Sequence, residues 1–216
     1  MKMEGNKAGS RALSLNEVLI VLTLIGVVGL VILPMFARPS NCSSRIKCVN
    51  NLKQVGLAFR IWANDNNNLY PMKVAEAAGS AKEAVERGEL FRVFLVMTNE
   101  LSVPKTVICP ADQRSAATNW AALTNTNLSY FVGLDAEDIR PNMILSGDRD
   151  IAENGQLLRG TANLTTNRPV AWHKLLHKEG GNIGLADGSV QQTTTITLRQ
   201  LLATTDATTN RVLFPQ

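Results

Sequence analysis

His173 and His177 are the chain's only histidines. Their i, i+4 spacing would put both rings on one face of a helix, the arrangement by which two imidazoles reach one zinc ion. Such a site needs a third ligand, and Gly180-Gly181 leaves little helix beyond them. A histidine hydrogen-bonded to the loop ahead is the plainer reading. Asp187 could serve a metal or act as a base, but directly before Gly188 it has a sufficient job in a tight turn. Ser146-Gly147-Asp148-Arg149-Asp150 is oxygen-rich without the spacing of an EF-hand. No metal is therefore expected; were one to bind, the candidates are Asp148, Asp150, Asp187, His173 and His177. The chain contains no G-x-S-x-G elbow, P-loop or dinucleotide glycine motif, so nothing points to nucleophilic or nucleotide chemistry. An enzyme is not expected.

The elements that must position these residues start from a chain of 216 residues, 19% charged and 45% apolar. That composition excludes a wholly disordered chain and a multi-span membrane protein. Net charge is +4, and residues 1–12 hold +2 of it through Lys2, Lys7 and Arg11 against Glu4. With no block of Lys and Arg to follow phosphates, no nucleic-acid partner is expected. Three cysteines exclude a disulfide-dense mini-protein but allow one bridge.

From Val18 to Ala37 the chain carries no charge. A helix of that length spans about 30 Å, the thickness of a bilayer's hydrocarbon core. A cleaved secretory signal would be shorter and end in small residues, whereas this run ends LPMFARPSN. The basic leader favours an anchor with its N-terminus cytoplasmic. Glu17, just before the apolar run, is the residue a plain anchor does not need.

The stretch Arg11-Ala12-Leu13-Ser14-Leu15-Asn16-Glu17-Val18-Leu19-Ile20 resembles the class III signal of type IV prepilins and type II secretion pseudopilins. In that family a basic leader ends in Gly, and the mature chain begins with Phe-Thr-Leu-(Ile/Val)-Glu. The resemblance implies cleavage between Ala12 and Leu13, N-methylation of Leu13 and an assembly role for Glu17. It also puts Pro34 where the family carries a helix-kinking proline. Ala12 and Leu13 depart from the family's Gly and Phe. The freed α-amine of Leu13 would pair with Glu17 of a neighbouring subunit, offsetting a charge that is costly to bury.

Three further stretches are similar to a group of bacterial prepilin-like proteins. One is Cys48-Val49-Asn50-Asn51-Leu52-Lys53-Gln54-Val55-Gly56-Leu57-Ala58. The second is the H-x9-DG motif of His177, Asp187 and Gly188, and the third is Cys109-Pro110-Ala111-Asp112, which resembles the group's Cys-Pro-Ser-Asp. The major pseudopilin's calcium site makes Asp148 and Asp150 calcium candidates by the same resemblance.

Ile46, Val49, Leu52, Val55, Phe59 and Trp62 recur at steps of three and four, giving one apolar helix face that the asparagine tract 64–68 and Pro71 should end. The fold class expected is α+β and pilin-like, a long N-terminal helical spine with a membrane half and an amphipathic half, packed on a small antiparallel sheet. The segments are a leader at 1–12, a transmembrane and assembly helix at 13–37, the amphipathic half at 38–68 and an ectodomain at 69–216. Within the ectodomain, Ser80-Ala-Lys-Glu83 reads as a capping box and Leu90–Met97 as helical. Strands are expected at Val107–Cys109, Ser129–Leu134, Met143–Leu145, Ile183–Ala186 and Ser189–Thr193, the last two joined by Asp187-Gly188. A helix over Thr197–Ala203 and an edge strand over Arg211–Phe214 follow, with exposed loops around 111–127 and 146–168.

With the ectodomain outside the cytoplasm its thiols can oxidise. Cys48 on the spine and Cys109 on a strand end packed against it are the expected pair, leaving Cys42 free or linking chains. The expected function is a structural subunit, cut by a prepilin peptidase and assembled with other pilin or pseudopilin subunits into a type IV pilus or type II secretion pseudopilus. The expected place is the inner membrane, single-pass, with the ectodomain periplasmic. Two alternatives stand beside it: an uncleaved anchored ectodomain that binds an envelope or extracellular ligand, and a membrane-tethered metal-dependent hydrolase using His173, His177 and Asp187.

Overall fold

Apolar residues at steps of three and four and a single Asp-Gly turn dictate the two elements on which the fold is organised. The structure, a computed structural model, describes residues 15–36, 41–205, 207 and 209–216, with side chains through Leu30 in the first helix and from Ser44 in the second. The chain divides into two compact units, Met1–Ser40 and Asn41–Gln216.

The first unit contains α1, Leu15–Phe36, with Glu17 in its first turn and Pro34 within its last. Apart from Gly29, its described side chains are exposed, Val18 through Leu22 at 44–62%. Five successive residues go more than once around a helix at about 100° per residue, so the apolar surface is circumferential and not a stripe.

The second unit begins with α2, Asn41–Asp65, whose apolar period buries Cys48, Leu52, Val55, Ala58, Phe59, Trp62 and Ala63. Ile46, expected on that face, is 54% exposed, and Cys48 opens the buried row instead. Short helices follow: α3 (Lys82–Glu86), α4 (Phe91–Leu95) and α5 (Thr98–Leu101). Ser80 does not cap α3; its hydroxyl donates to the Pro71 carbonyl at 2.8 Å. The expected strand at Val107–Cys109 is absent, because Pro104 starts a 3-10 turn over Pro104–Val107.

The strands are β1 (Tyr130–Gly133), β2 (Ile144–Asp148), β3 (Ile151–Glu153), β4 (Gln156–Leu157), β5 (Gly160–Leu164), β6 (Val170–Trp172), β7 (Gly180–Leu185), β8 (Val190–Thr194) and β9 (Asn210–Phe214). Helix α6, Thr195–Thr204, is capped by Thr194, whose hydroxyl accepts from the Thr197 N–H. One sheet has the order β5-β9-β1-β2-β7-β8 and the other β4-β3-β6, with every pairing antiparallel. Strand β9 lies between β5 and β1, so it is interior and not the edge expected.

Alternation along the strands divides the core in two. Tyr130, Val132, Leu145 and Leu213 join the cluster with α2 and the short helices. Phe131, Ile144, Ile183, Leu185, Val212 and Phe214 join the opposite cluster with α6 and Trp172 of the small sheet. The large sheet is the middle of three layers.

This corrects the expected fold class. The architecture is mixed α+β around a six-stranded and a three-stranded antiparallel sheet, not a long helical spine on a small one. Helix α1 ends at Phe36 and α2 begins at Asn41, so the described residues form two helices and not one spine. Among the described residues, no helix is long and apolar enough to cross a membrane. The single-pass inner-membrane placement and the transmembrane reading of residues 13–37 are corrected accordingly.

Candidate functional site

Helix α2 and strand β7 run side by side, and glycines let them approach. A Cβ on Gly180 would lie 3.0 Å from Arg45 Nη2, and one on Gly184 would lie 3.5 Å from Leu52 Cγ. One on Gly56 would lie 3.4 Å from Gly188 Cα.

At the far end the turn is clamped. Gly188 has φ +84°, Asp187 Oδ1 accepts from the Ser189 N–H at 2.8 Å, and Arg60 donates to the Asp187 carbonyl at 3.0 Å. The Tyr70 hydroxyl donates to the Ala186 carbonyl at 3.1 Å and to Asp138 at 3.2 Å. Asp187 therefore holds a turn.

At the near end four chemical side chains converge. Cys48 of α2 and Cys109, 61 residues apart in sequence, are joined by a disulfide with Cα atoms 4.9 Å apart. Asn51 fixes the approach, its Nδ2 donating to the Ile108 carbonyl at 2.8 Å. His177 Nε2 lies 3.3 Å from Cys109 Sγ and 3.5 Å from Asp148 Oδ2. Asp148 Oδ1 lies 3.7 Å from Cys48 Sγ. One donor atom from each of Cys48, Cys109, Asp148 and His177 falls within 4.8 Å of all the others. The side chains of Asp148 and His177 are 0% and 3% exposed.

A second layer orients the cluster. The backbone N–H and Nδ2 of Asn182 donate to Asp148 Oδ2 at 2.7 and 2.8 Å. The Tyr130 hydroxyl sits 3.6 Å from Cys48 Sγ. Burial, reinforced by the Asp150 carboxylate, pushes the Asp148 carboxyl well up despite the Asn182 N–H groups and Arg45. Burial and then Arg45 hold His177 down, to about 4. With His177 held down to about 4 its imidazole is neutral at neutral pH, so its 3.5 Å approach to Asp148 is not an ion pair there. A cleft of about 520 Å³, lined by Ser44, Arg45, Pro110, Ala111, Leu176 and Lys178, opens on His177.

The other sequence candidates fall elsewhere. His173 and His177 lie in a loop, not on a helix, and share no face. His173 donates its backbone N–H to the Asp150 carbonyl at 2.7 Å. Asp150 Oδ2 accepts from the Leu176 N–H at 3.2 Å, and burial pushes its carboxyl up to about 7. Ser146 donates to the Phe131 carbonyl at 2.7 Å. Asp112, in Cys109-Pro110-Ala111-Asp112, takes two bonds from Arg149 at 2.8 Å and one from Ser129 at 2.7 Å. The expected cleavage and methylation site at Ala12 and Leu13 lies outside the described residues, as does the side chain of Cys42. Glu17 is in the first turn of α1, and α1 continues through Pro34.

Sequence reasoning missed Arg45, Asn182 and the union of His177 with Asp148 and both cysteines. Asn182, among the apolar residues of β7, was the available signal, since a buried amide needs partners.

No protein-family model matches the chain, and no curated protein or solved structure matches it either.

Proposed function

We propose that this chain is a structural subunit, cut by a prepilin peptidase between Ala12 and Leu13 and assembled with copies of itself through α1 into a filament of the type IV pilus or type II secretion pseudopilus kind. The observation that carries the reading is the apolar surface all round α1, with Leu15, Leu22, Ile25 and Leu30 at 62–81% exposure. A helix apolar on every side needs a cover on every side. Neighbouring copies of α1 in a bundle supply that cover, each helix being at once covered and covering. Cleavage would set the new α-amine of Leu13 four residues before Glu17, where pairing between copies fixes their register. The second unit, closed by its Cys48–Cys109 bridge, is then the displayed part of each subunit.

The test uses the full chain co-expressed with a prepilin peptidase. Intact mass should show loss of residues 1–12, and sedimentation should show large assemblies. Leu22→Asp combined with Ile25→Asp should keep the processed chain in small species while near-ultraviolet circular dichroism of the second unit stays as in the parent. A chain left whole while a control prepilin is cut, or a double variant that assembles like the parent, would overturn the reading.

A further inference from the structure

The disulfide end of α2 has more ligands than a bridge requires. A bridge needs two sulfurs; this one has an imidazole and a carboxylate against it, both buried, brought from separate elements. Cys48 comes from α2, Cys109 from the segment after the Pro104 turn, Asp148 from the end of β2 and His177 from the loop before β7.

We propose that Cys48, Cys109, Asp148 and His177 form a four-coordinate zinc site when the Cys48–Cys109 bridge is reduced. The inference is independent of the assembly reading. A tetrahedron with ligands about 2.0–2.3 Å from zinc has edges of about 3.3–3.8 Å. With one Asp148 oxygen as the ligand, two of the six edges already have that length: Cys109 to His177 at 3.3 Å, and Asp148 either to His177 at 3.5 Å through Oδ2 or to Cys48 at 3.7 Å through Oδ1. Three more fall within 4.8 Å. The sixth joins the sulfurs, and it is covalent until reduction frees it to open.

The donor set selects the metal. Two thiolates and an imidazole suit zinc, whereas calcium and magnesium take oxygen ligands. The charges also close: three negative ligands meet the ion's two charges and the Arg45 guanidinium. Asn182 grips Asp148 Oδ2 and leaves Oδ1 toward Cys48, the outer support by which carboxylate ligands are held. The cleft beside His177 gives the ion an entry path.

The steps balance. A dithiol reductant passes two electrons and two protons to the bridge; the S–S bond breaks, two S–H bonds form, and the dithiol closes to its own cyclic disulfide. Zinc enters as the divalent ion, and both thiols release their protons to solvent. No oxidation state changes in the second step. The ion would tie together the elements that the bridge otherwise ties, so the reduced chain keeps its fold through metal.

The test is a titration of the full-length chain with cobalt(II) alone, after anaerobic reduction with a dithiol and its removal, followed by zinc competition. Expected is one cobalt per reduced chain, with thiolate-to-cobalt charge-transfer absorption and tetrahedral visible bands that zinc abolishes. The oxidised chain should show neither. Asp148→Asn and His177→Gln should each weaken affinity by about tenfold or more. A reduced, folded chain without charge-transfer absorption would overturn the proposal, as would variants that bind like the parent. Should reduction unfold the chain, recovery of its near-ultraviolet dichroism on adding zinc supports the site, and failure to recover refutes it.

Discussion

Helices α1 and α2 have 22 and 25 residues, yet they solve opposite problems. Helix α2 interleaves Lys47, Lys53 and Arg60 with a buried row, so its apolar face is covered by the sheet of its own chain. Helix α1 has no polar side, and its side chains from Val18 to Leu22 stand exposed in succession. Local propensity makes both helical; burial separates them. For α2 the partner is written into the same chain, and the stability of the second unit depends on it. For α1 the proposed cover is a neighbouring copy, and on that reading its side chains would bear on assembly and not on the stability of the second unit.

The sharpest test of that contrast pairs one large residue from each helix. Phe59 is fully buried and packs edge-on against Tyr70 and Phe94, with ring centroids 5.6 and 6.4 Å away. Phe59→Ala should destabilise the second unit by about 3–5 kcal/mol. Leu22→Ala, at a site 62% exposed, should leave it within about 0.5 kcal/mol. Urea unfolding followed by tryptophan fluorescence reads both, since Trp62, Trp120 and Trp172 all belong to the second unit. Equal effects would break the comparison.

The second test asks whether polar clamps at the cysteine end matter as the apolar row does. The Asp112 side chain is 0% exposed and its partner Arg149 13%. Burial alone would raise the Asp112 carboxyl, but the bonds from Arg149 and Ser129 outweigh it and hold it below its ordinary value. A depressed carboxylate stabilises the fold above the unfolded value of about 3.9. That stabilisation is lost as pH falls through the lower folded value, because protonation then favours the folded state less than the unfolded one. Asp112→Asn should cost about 3 kcal/mol at pH 7 by leaving Arg149 unpaired. The gap from the parent should narrow on acidification below about pH 4. A gap that persists there would assign Asp112 a packing role instead of an electrostatic one.

What was legible in the sequence follows the same division between local and distant causes. The buried face of α2 was legible at Leu52, Val55, Phe59 and Trp62 because helical spacing is a local signal. So was the hairpin at Asp187-Gly188, whose strands extend a few residues beyond the expected bounds at Gly180 and Thr194. Strands β3, β4 and β5 lay hidden in what read as an exposed loop over 146–168, since their pairing is decided by tertiary contacts. The length of the spine was misread because an unbroken apolar count says nothing of where a helix stops. At the site, Cys48 and Cys109 were identifiable one by one. That Asp148 and His177 close on them depends on β2 and β7 pairing, with Gly147 opposite Ile183, and no spacing in the sequence encodes that register.

The smallest expected effect lies at the other end of α2, where the contact is backbone against backbone. Gly188 takes φ +84°, a conformation in which a side chain is strained, and a Cβ there would meet Arg60 Cδ at 3.5 Å. Gly188→Ala should therefore cost about 1 kcal/mol. The urea midpoint should fall with an unchanged slope, since the turn is a local feature of an intact fold. Because Gly188 also faces Gly56, the loss should combine non-additively with Gly56→Ala, the two replacements competing for the same 3.4 Å gap. Simple additivity would mean that α2 and the hairpin turn shift apart freely.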